Sequence, residues 1–190
     1  MGTEPDDASV IARSLADPQA FAVIFERHFD EIHRYRRRRH PPDADELAAE
    51  VFVIAFDARE RYRVASATAR PWLYGIASHV LSRRRRDERR SLRAHARSGG
   101  REVAVTDDFA DAEARADARR RSGELATALA RLPDADRDTL LLYALSDLTY
   151  EEVAEALEVP IGTVRSRLAR ARGRAAASLA DRQPQEHDHA

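Results

Sequence analysis

The stretch that decides the fold is LTYEEVAEALEVPIGTVRSRLARARGR, which runs from Leu148 to Arg174. Thr149 can cap a helix with its hydroxyl, and Glu152, three residues later, can reach back to the Thr149 amide in a capping box. Pro160 disfavours helical geometry in the residue before it, yet proline is tolerated at a helix start. The stretch therefore predicts two short helices joined by a sharp turn just before Pro160, which is a helix-turn-helix.

The second helix of this motif combines an apolar stripe with a polar face rich in arginine. Its apolar residues recur every three or four positions, as on a buried helical face: Ile161, Val164, Leu168, Ala171 and Ala175. Guanidinium groups give paired donors to phosphates or guanine edges, and the start of such a helix enters the major groove. For the arginines alone, a solvated amphipathic surface helix is the alternative. The whole motif favours DNA binding by Gly162, Thr163, Arg165, Ser166, Arg167, Arg170 and Arg174.

Two helices are predicted at the start of the N-terminal half. Asp17 and Pro18 begin the first, whose aromatic stripe indicates packing into a core. The second runs from Asp43 to about Arg61 and aligns several carboxylates on one face. An acidic stripe repels phosphate, so it should face solvent or a basic protein partner. Its members are Asp43, Glu46, Glu50 and Asp57.

A third helix begins at Pro71 and places Trp72 close to a run of arginines. Bases of single-stranded DNA stack on aromatic rings while arginines follow the backbone, so this helix is a candidate single-strand surface. Trp72 by itself fits a core position equally well. Beyond Asp87 the apolar pattern is lost, which predicts a linker and two halves that move independently when free. The candidate surface residues are Trp72, His79, Ser82, Arg83 and Arg86.

The composition narrows the class of protein. The chain has 190 residues, of which 34% are charged, and its net charge is -1, so nucleic-acid contact requires segregated charge. There is no cysteine, which excludes disulfides and fits a reducing compartment. No apolar run predicts membrane insertion, so we expect a cytoplasmic protein. We expect no cofactor, no metal and no catalytic residues, since no nucleotide-binding loop, His-Glu metal motif or nucleophile motif is found.

Three motifs together resemble one family. Residues 149–172, TYEEVAEALEVPIGTVRSRLARAR, are similar to the region 4 promoter-reading motif of the extracytoplasmic-function sigma factors of the sigma-70 family. A similar motif forms the C-terminal end of many response regulators. The N-terminal half must therefore distinguish a sigma factor from an ordinary transcriptional regulator. Residues 43–56, DADELAAEVFVIAF, resemble sigma region 2.2, with Ala49 where the family usually has glutamine. The run from Pro71 resembles regions 2.3 and 2.4, with His79 in place of asparagine and Arg83 in place of aspartate.

The resemblance implies an all-α fold with two helical domains joined by a flexible linker. The expected organisation is a mobile tail over 1–13, region 2 over 14–92, a linker over 93–120, region 4 over 121–181 and a disordered tail over 182–190.

The resemblance also implies a function. A sigma factor directs core RNA polymerase to specific promoters and initiates transcription, and it is not an enzyme. The implied partners are the β′ coiled coil of core RNA polymerase and promoter DNA, and an anti-sigma factor is a further candidate partner. We expect the free chain to be a monomer. Region 2 would bind polymerase through Asp45, Glu46 and Glu50, and would melt and read the minus-10 element with Trp72, His79, Arg83 and Arg86. The alternative is a helix-turn-helix regulator with an N-terminal sensing domain, which would bind its operator without polymerase.

Overall fold

The protein is all-α throughout the part of the chain that the computed structural model describes, residues 4–39, 43–63, 68–97 and 123–180. This confirms the predicted fold class. The helices are α1 (Asp7–Ser14), α2 (Ala22–Arg39), α3 (Ala44–Ala58), α4 (Arg70–Arg97), α5 (123–130), α6 (Asp134–Ser146), α7 (Tyr150–Ala156) and α8 (Ile161–Ala180), with 3-10 turns at Pro18–Phe21 and Arg59–Arg61.

Helix α1 replaces most of the mobile tail that the sequence pattern predicts over residues 1–13. Asp6 caps this helix by accepting the Ser9 amide at 2.8 Å. Val10 and Ile11 are only 1% and 2% exposed, and burying such side chains contributes about 1.5 to 3 kcal/mol each. Two adjacent apolar residues are too short a pattern to reveal a helical period, so the anchoring of this segment escapes a sequence reading.

Helices α2 and α3 pack along a seam of phenylalanine rings. Phe21 meets Phe56 edge-on with ring centroids 5.4 Å apart, and Phe25 meets Phe52 in the same way at 5.0 Å. Edge-to-face pairs of this kind are favourable beyond the area that they bury. Phe21 is buried as the aromatic stripe predicts, whereas Phe25 remains 41% exposed at the rim of the seam.

A buried polar network ties α1 to α2 and to the segment before α4. The Asp7 carboxylate accepts the Ala69 amide at 2.8 Å and lies 2.8 Å from His28 Nε2, while His28 Nδ1 lies 2.7 Å from Glu31. Burial by itself would lower the pKa of His28, but the hydrogen bonds and charges of Asp7 and Glu31 raise it to about 9. His28 is therefore protonated at neutral pH and donates to both carboxylates.

Helices α6 and α7 pack against α4, so the two halves of the chain share one hydrophobic core. Asp138 on α6 accepts hydrogen bonds from Arg39 at 2.9 Å, from Ser82 at 2.6 Å and from Arg85. The backbone of Gly75 on α4 lies so close to the Ala156 carbonyl of α7 that an added Cβ atom would clash with it. The expectation that the halves move independently therefore does not describe this structure, in which they are packed together.

The boundaries of the predicted segments are only partly visible. Helix α4 continues to Arg97, so residues 93–97 of the predicted linker are helical. The rest of the predicted linker up to residue 120 and the predicted tail over 182–190 lie outside the described residues.

The raised pKa of His28 predicts a pH-dependent stability. The unfolded histidine loses its proton above about pH 6.5, whereas the folded one keeps it until about pH 9. The stabilisation by His28 should therefore be complete below about pH 6.5 and should decline by on the order of 3 kcal/mol as the pH rises through 9. Urea unfolding of the wild type and of His28→Gln should give a difference in unfolding free energy that shrinks from pH 6 to pH 9.5. A difference that stays constant over this range would contradict the network.

Candidate nucleic-acid and polymerase interfaces

The helix-turn-helix forms as the local sequence predicts. The Thr149 amide donates to Glu152 Oε2 at 2.8 Å, and the Glu152 amide donates to Thr149 Oγ1 at 3.2 Å, so both halves of the capping box are present. The turn after α7 places Glu158 in the left-handed region with φ of 52°. The Thr163 amide then donates to the Pro160 carbonyl at 2.8 Å and starts α8. Local capping and one proline thus set the angle at which α8 leaves the motif.

The polar face of α8 is open where the DNA contacts are predicted. Val164, Leu168 and Ala171 are buried and fix the helix to the rest of the domain. This arrangement turns the opposite face outward. The predicted contacts Gly162, Arg165, Ser166, Arg170 and Arg174 are exposed, whereas Thr163 and Arg167 are partly buried.

Two of the predicted α8 contacts are already engaged within the chain. Arg170 makes a two-pronged ion pair with the buried Asp136 of α6, at 2.9 and 3.1 Å. The Ser166 hydroxyl donates to the Thr163 carbonyl at 3.0 Å. A DNA phosphate would have to compete with the Asp136 carboxylate for Arg170. This arginine is therefore better suited to holding α8 in position than to contacting DNA. The Asp136 partner lies 34 residues away in sequence, and no local pattern reveals the pair.

Helix α4 carries an exposed basic surface at its C-terminal half. Arg83 and Arg86, both predicted contacts, line an open cleft of about 530 Å³ together with Arg89 and Arg90. The last two were missed, although the run of arginines contains them. His79 is exposed one turn earlier. A concentration of guanidinium groups of this kind attracts a nucleic-acid backbone.

Trp72 is neither a free stacking platform nor a fully buried core residue. Its ring packs against the Tyr62 ring, with centroids 4.9 Å apart, and the side chain is partly exposed. The aromatic pair stands at the edge of α4 next to Arg61 and Arg63, which border the same cleft as Trp72. An aromatic surface flanked by arginines is consistent with single-strand binding.

The start of α3 presents the carboxylates predicted to bind polymerase. Asp45 has a side chain 94% exposed and lies 2.6 Å from His33 Nε2, and Glu46 beside it is exposed. Glu50 is only partly exposed, and its charge acts on the buried guanidinium of Arg36. Burial lowers the pKa of Arg36 to about 10, and the Glu50 charge opposes this effect. The charge of Glu50 therefore favours the protonated form of Arg36.

An exposed apolar patch adjoins these carboxylates and was not predicted as a surface. Val53 is 60% exposed and Ile54 is 37% exposed on α3, and Phe25 of α2, whose ring packs against Phe52, is 41% exposed. The sequence does contain a signal for this patch, because the apolar residues of α3 cover a wider arc of the helix than a single buried face requires. Exposed apolar side chains beside charged ones are typical of protein contact surfaces.

Metal and membrane sites find no support in the described parts of the chain. Within residues 4–39, 43–63, 68–97 and 123–180, no group of three or more His, Asp or Glu side chains is placed to hold a metal ion. None of the helices described there is long and apolar enough to span a bilayer. His187 and His189, which the sequence offers only as a weak pair of metal ligands, lie outside the described residues.

Two sequence families match the two halves of the chain. Residues 24–91 match Sigma-70 region 2, and residues 122–174 match Sigma-70, region 4. The first match covers α2 to α4, and the second covers the helix-turn-helix. The order is that of the resemblance found in the sequence, and the N-terminal match separates this chain from an ordinary helix-turn-helix regulator.

Curated relatives agree with these matches. The chain is 37% identical over 143 residues to the ECF RNA polymerase sigma factor SigC of Mycobacterium tuberculosis, which covers 74% of this chain and 71% of that protein. It is 31% identical over 180 residues to SigM of the same species, covering 93% of this chain and 86% of the relative. Both relatives are named ECF RNA polymerase sigma factors.

Solved structures share the fold. CnrH in complex with the cytosolic domain of CnrY has a TM-score of 0.61 at 22% identity, covering 93% of this chain and 99% of CnrH. The sigma factor RpoE in complex with the anti-sigma factor NepR, from Bartonella quintana, has a TM-score of 0.57 at 19% identity, covering 86% of this chain and 98% of that one. On the family matches and the sequence identity to SigC and SigM, the chain belongs to the extracytoplasmic-function sigma factors of the sigma-70 family and is an RNA polymerase sigma factor.

Proposed function

We propose that this sigma factor binds core RNA polymerase with the acidic start of α3, opens and reads the minus-10 element with α4, and reads the minus-35 element with α8. The observation that carries the proposal is the segregation of charge on separate helices. Exposed carboxylates stand at the start of α3, while exposed arginines line α4 and α8. Opposite charges on different faces let a nearly neutral chain attract a basic protein surface and a DNA backbone at the same time.

The roles within α8 follow from exposure and position. Arg165 lies at the end of the helix that enters the major groove and is exposed, so it is the best candidate for a bidentate base contact. Arg174 is exposed further along the helix and suits a phosphate contact. Arg167 is only partly exposed and borders a cavity next to α4, and Arg170 is held by Asp136.

Membership of the family supports further proposals about partners and location. The CnrH and RpoE structures each contain a second protein, and the one bound to RpoE is named an anti-sigma factor. We propose that a protein of this class also regulates the present chain. The sigma factor would act in the cytoplasm, as a monomer when free, and without catalysis by its own residues, since the polymerase performs the chemistry.

The polymerase contact predicts the effect of reversing charge on α3. Asp45→Lys combined with Glu46→Lys should abolish co-elution with core polymerase on size exclusion, because the two most exposed carboxylates of the face become cations. The fold should persist, since exposed charges contribute little to stability. Glu50→Gln should be tested separately, because the charge of Glu50 also favours the protonated form of the buried Arg36.

A matched control is available on α2. Glu26 and Asp30 are exposed carboxylates on a different helical face, and Glu26→Lys combined with Asp30→Lys changes the net charge by the same amount. This control should co-elute with core polymerase like the wild type. Loss of binding in both double variants would point to net charge rather than to the α3 face, and retention in both would remove the proposed contact.

The readout by α8 predicts different behaviour for two arginines. With holoenzyme on promoter DNA, Arg165→Ala should cost on the order of 1 to 3 kcal/mol at the preferred minus-35 sequence and little at a scrambled one. Arg174→Ala should weaken binding to both sequences alike and lower the salt slope by about one ion. Affinities measured for each variant across a salt series give both quantities. An unchanged preferred-to-scrambled ratio for Arg165→Ala would mean that DNA shape supplies the specificity.

A further inference from the structure

We propose that α1 positions the single-strand surface at the start of α4, by holding both ends of the connection between α3 and α4, and that Asp7 is the positioning residue. The proposal rests on the proposed function in one respect, because it takes Trp72 and its neighbours as a surface that binds the opened minus-10 strand. It adds a positioning element that lies outside residues 24–91, the match to Sigma-70 region 2.

The Asp7 carboxylate holds the end of the connection that leads into α4. Its Oδ2 atom accepts the Ala69 amide at 2.8 Å and the Thr68 hydroxyl at 3.1 Å. The Thr68 hydroxyl in turn accepts the Arg70 amide at 3.3 Å, which satisfies one of the free donors at the helix start. The first turn of α4 is therefore tied to a carboxylate of α1 that is only 5% exposed.

The last residue of α1 holds the end of the connection that leaves α3. Arg59 donates from Nε to the Ser14 carbonyl at 3.4 Å, and its guanidinium carbon lies 3.8 Å from the centroid of the Phe56 ring. The eight residues of α1 span about 12 Å, at about 1.5 Å per residue. One short helix thus sets the distance between the two ends of the connection.

Burial of apolar side chains attaches α1, and Asp7 fixes its position. Val10 and Ile11 are 1% and 2% exposed and belong to the core that also contains Leu73 of α4. Apolar burial has no preferred direction, so by itself it would allow α1 to slide along this core. The directional hydrogen bonds of Asp7 fix α1 relative to the start of α4.

The Asp7 carboxylate is charged although it is buried. Burial by itself would raise the pKa of Asp7, but hydrogen bonds from His28, Ala69 and Arg27 hold it well below its usual range. Hydrogen bonds to a charged acceptor are roughly twice as strong as those between neutral groups. An uncharged side chain of the same size should therefore hold the Ala69 amide less firmly.

The aromatic pair of the candidate surface takes one ring from each end of the connection. Tyr62 follows the turn that begins at Arg59, Trp72 lies in the first turn of α4, and the ring centroids are 4.9 Å apart. Burial and the charge of Asp7 raise the pKa of the Tyr62 phenol, so this ring also lies within reach of the Asp7 charge. A base stacks only on a ring that is correctly placed, so the separation of the two ends determines the surface.

The first test follows the aromatic pair without polymerase or DNA. Trp72 is the only tryptophan of the chain, so the intrinsic fluorescence of the full chain reports on this ring. Asp7→Asn keeps the size of the side chain and removes its charge. The Trp72 emission should shift to longer wavelength and acrylamide should quench it more strongly, because the ring loses packing against Tyr62. Helical content by circular dichroism should stay the same.

The matched control is Asp6→Asn, one residue earlier. The exposed Asp6 carboxylate caps α1 by accepting the Ser9 amide at 2.8 Å, and asparagine caps a helix as well as aspartate does. This variant has the same change of charge and should keep the wild-type fluorescence. A wild-type spectrum in Asp7→Asn, or the same shift in both variants, would overturn the positioning by Asp7.

A second variant covers the case in which Asp7→Asn detaches α1 altogether. Thr68→Val has nearly the same shape and leaves the contacts of Asp7 with Arg27 and His28 in place, but it removes the hydroxyl that donates to Asp7. The Trp72 emission should shift in the same direction by a smaller amount. If Asp7→Asn lowers the helical content and Thr68→Val leaves the spectrum unchanged, the proposal fails.

The second test measures DNA binding by the holoenzyme, with core polymerase alone as the background. The probe is a fluorescein-labelled, mixed-sequence, single-stranded 12-nucleotide DNA, and the same sequence as a duplex is the reference. Disturbing one base stack should weaken the chain-dependent affinity of Asp7→Asn for the single strand at least about fivefold. Its duplex affinity and its co-elution with core polymerase should match those of the wild type and of Asp6→Asn.

The outcomes separate positioning from a merely structural role and from failure of the proposed function. An equal loss of affinity for single strand and duplex, or no loss for either, would overturn the role of α1 in strand binding. A wild-type holoenzyme that binds the single strand no better than core polymerase alone would remove the proposed strand-binding function. The Trp72 spectra would still decide whether α1 positions the aromatic pair.

Discussion

The packing of α4 against its neighbours is the interaction on which the rest of the structure depends. Helices α2 and α3 pack on one side of α4, and α6 and α7 pack on another. Tyr35 of α2 lies within 3.1 Å of Ser78, and Arg36 of α2 donates to the Ala77 carbonyl at 2.9 Å, so polar contacts fix α4 within region 2. The same helix carries the proposed minus-10 residues His79, Arg83 and Arg86 on its exposed face, so its buried face holds that surface in place.

Charged side chains have two roles in this protein: some form ion pairs within the chain, and others are exposed and are proposed to contact partners. Asp136 holds Arg170, and Asp138 holds Arg39 and Arg85. Because guanidinium binds carboxylate and phosphate alike, each of these pairs reduces the number of cations that the chain offers to DNA. Arg36 is a different case, because it is fully buried and its Nε and Nη2 atoms have no hydrogen-bond partner among the described residues. The free-energy cost of burying this charged guanidinium is offset in part by its hydrogen bond to the Ala77 carbonyl and by the charge of Glu50.

The features that the sequence could predict are those decided within a few residues. The capping box of Thr149 and Glu152, the break before Pro160 and the apolar stripe of α8 depend on local geometry and form as predicted. The anchoring of α1 depends instead on Asp7 meeting Ala69, which is 62 residues away. The occupation of Arg170 and the closeness of Gly75 to α7 are likewise pairings between distant segments. Neither periodicity nor spacing specifies which distant segment a residue meets, so exposure and pairing of the candidate contacts required the structure.

The central claim is that this chain gives core RNA polymerase its promoter specificity through two separate DNA-reading helices. It is tested most directly by transcription in vitro from a promoter library, with core polymerase alone and with core polymerase plus the wild-type chain, followed by sequencing of the transcripts. The predicted result is a set of transcripts that appears only with the chain and whose promoters share one element near minus-10 and another near minus-35. Transcripts that do not depend on the chain, together with binding of the free chain to a specific operator without polymerase, would contradict the claim.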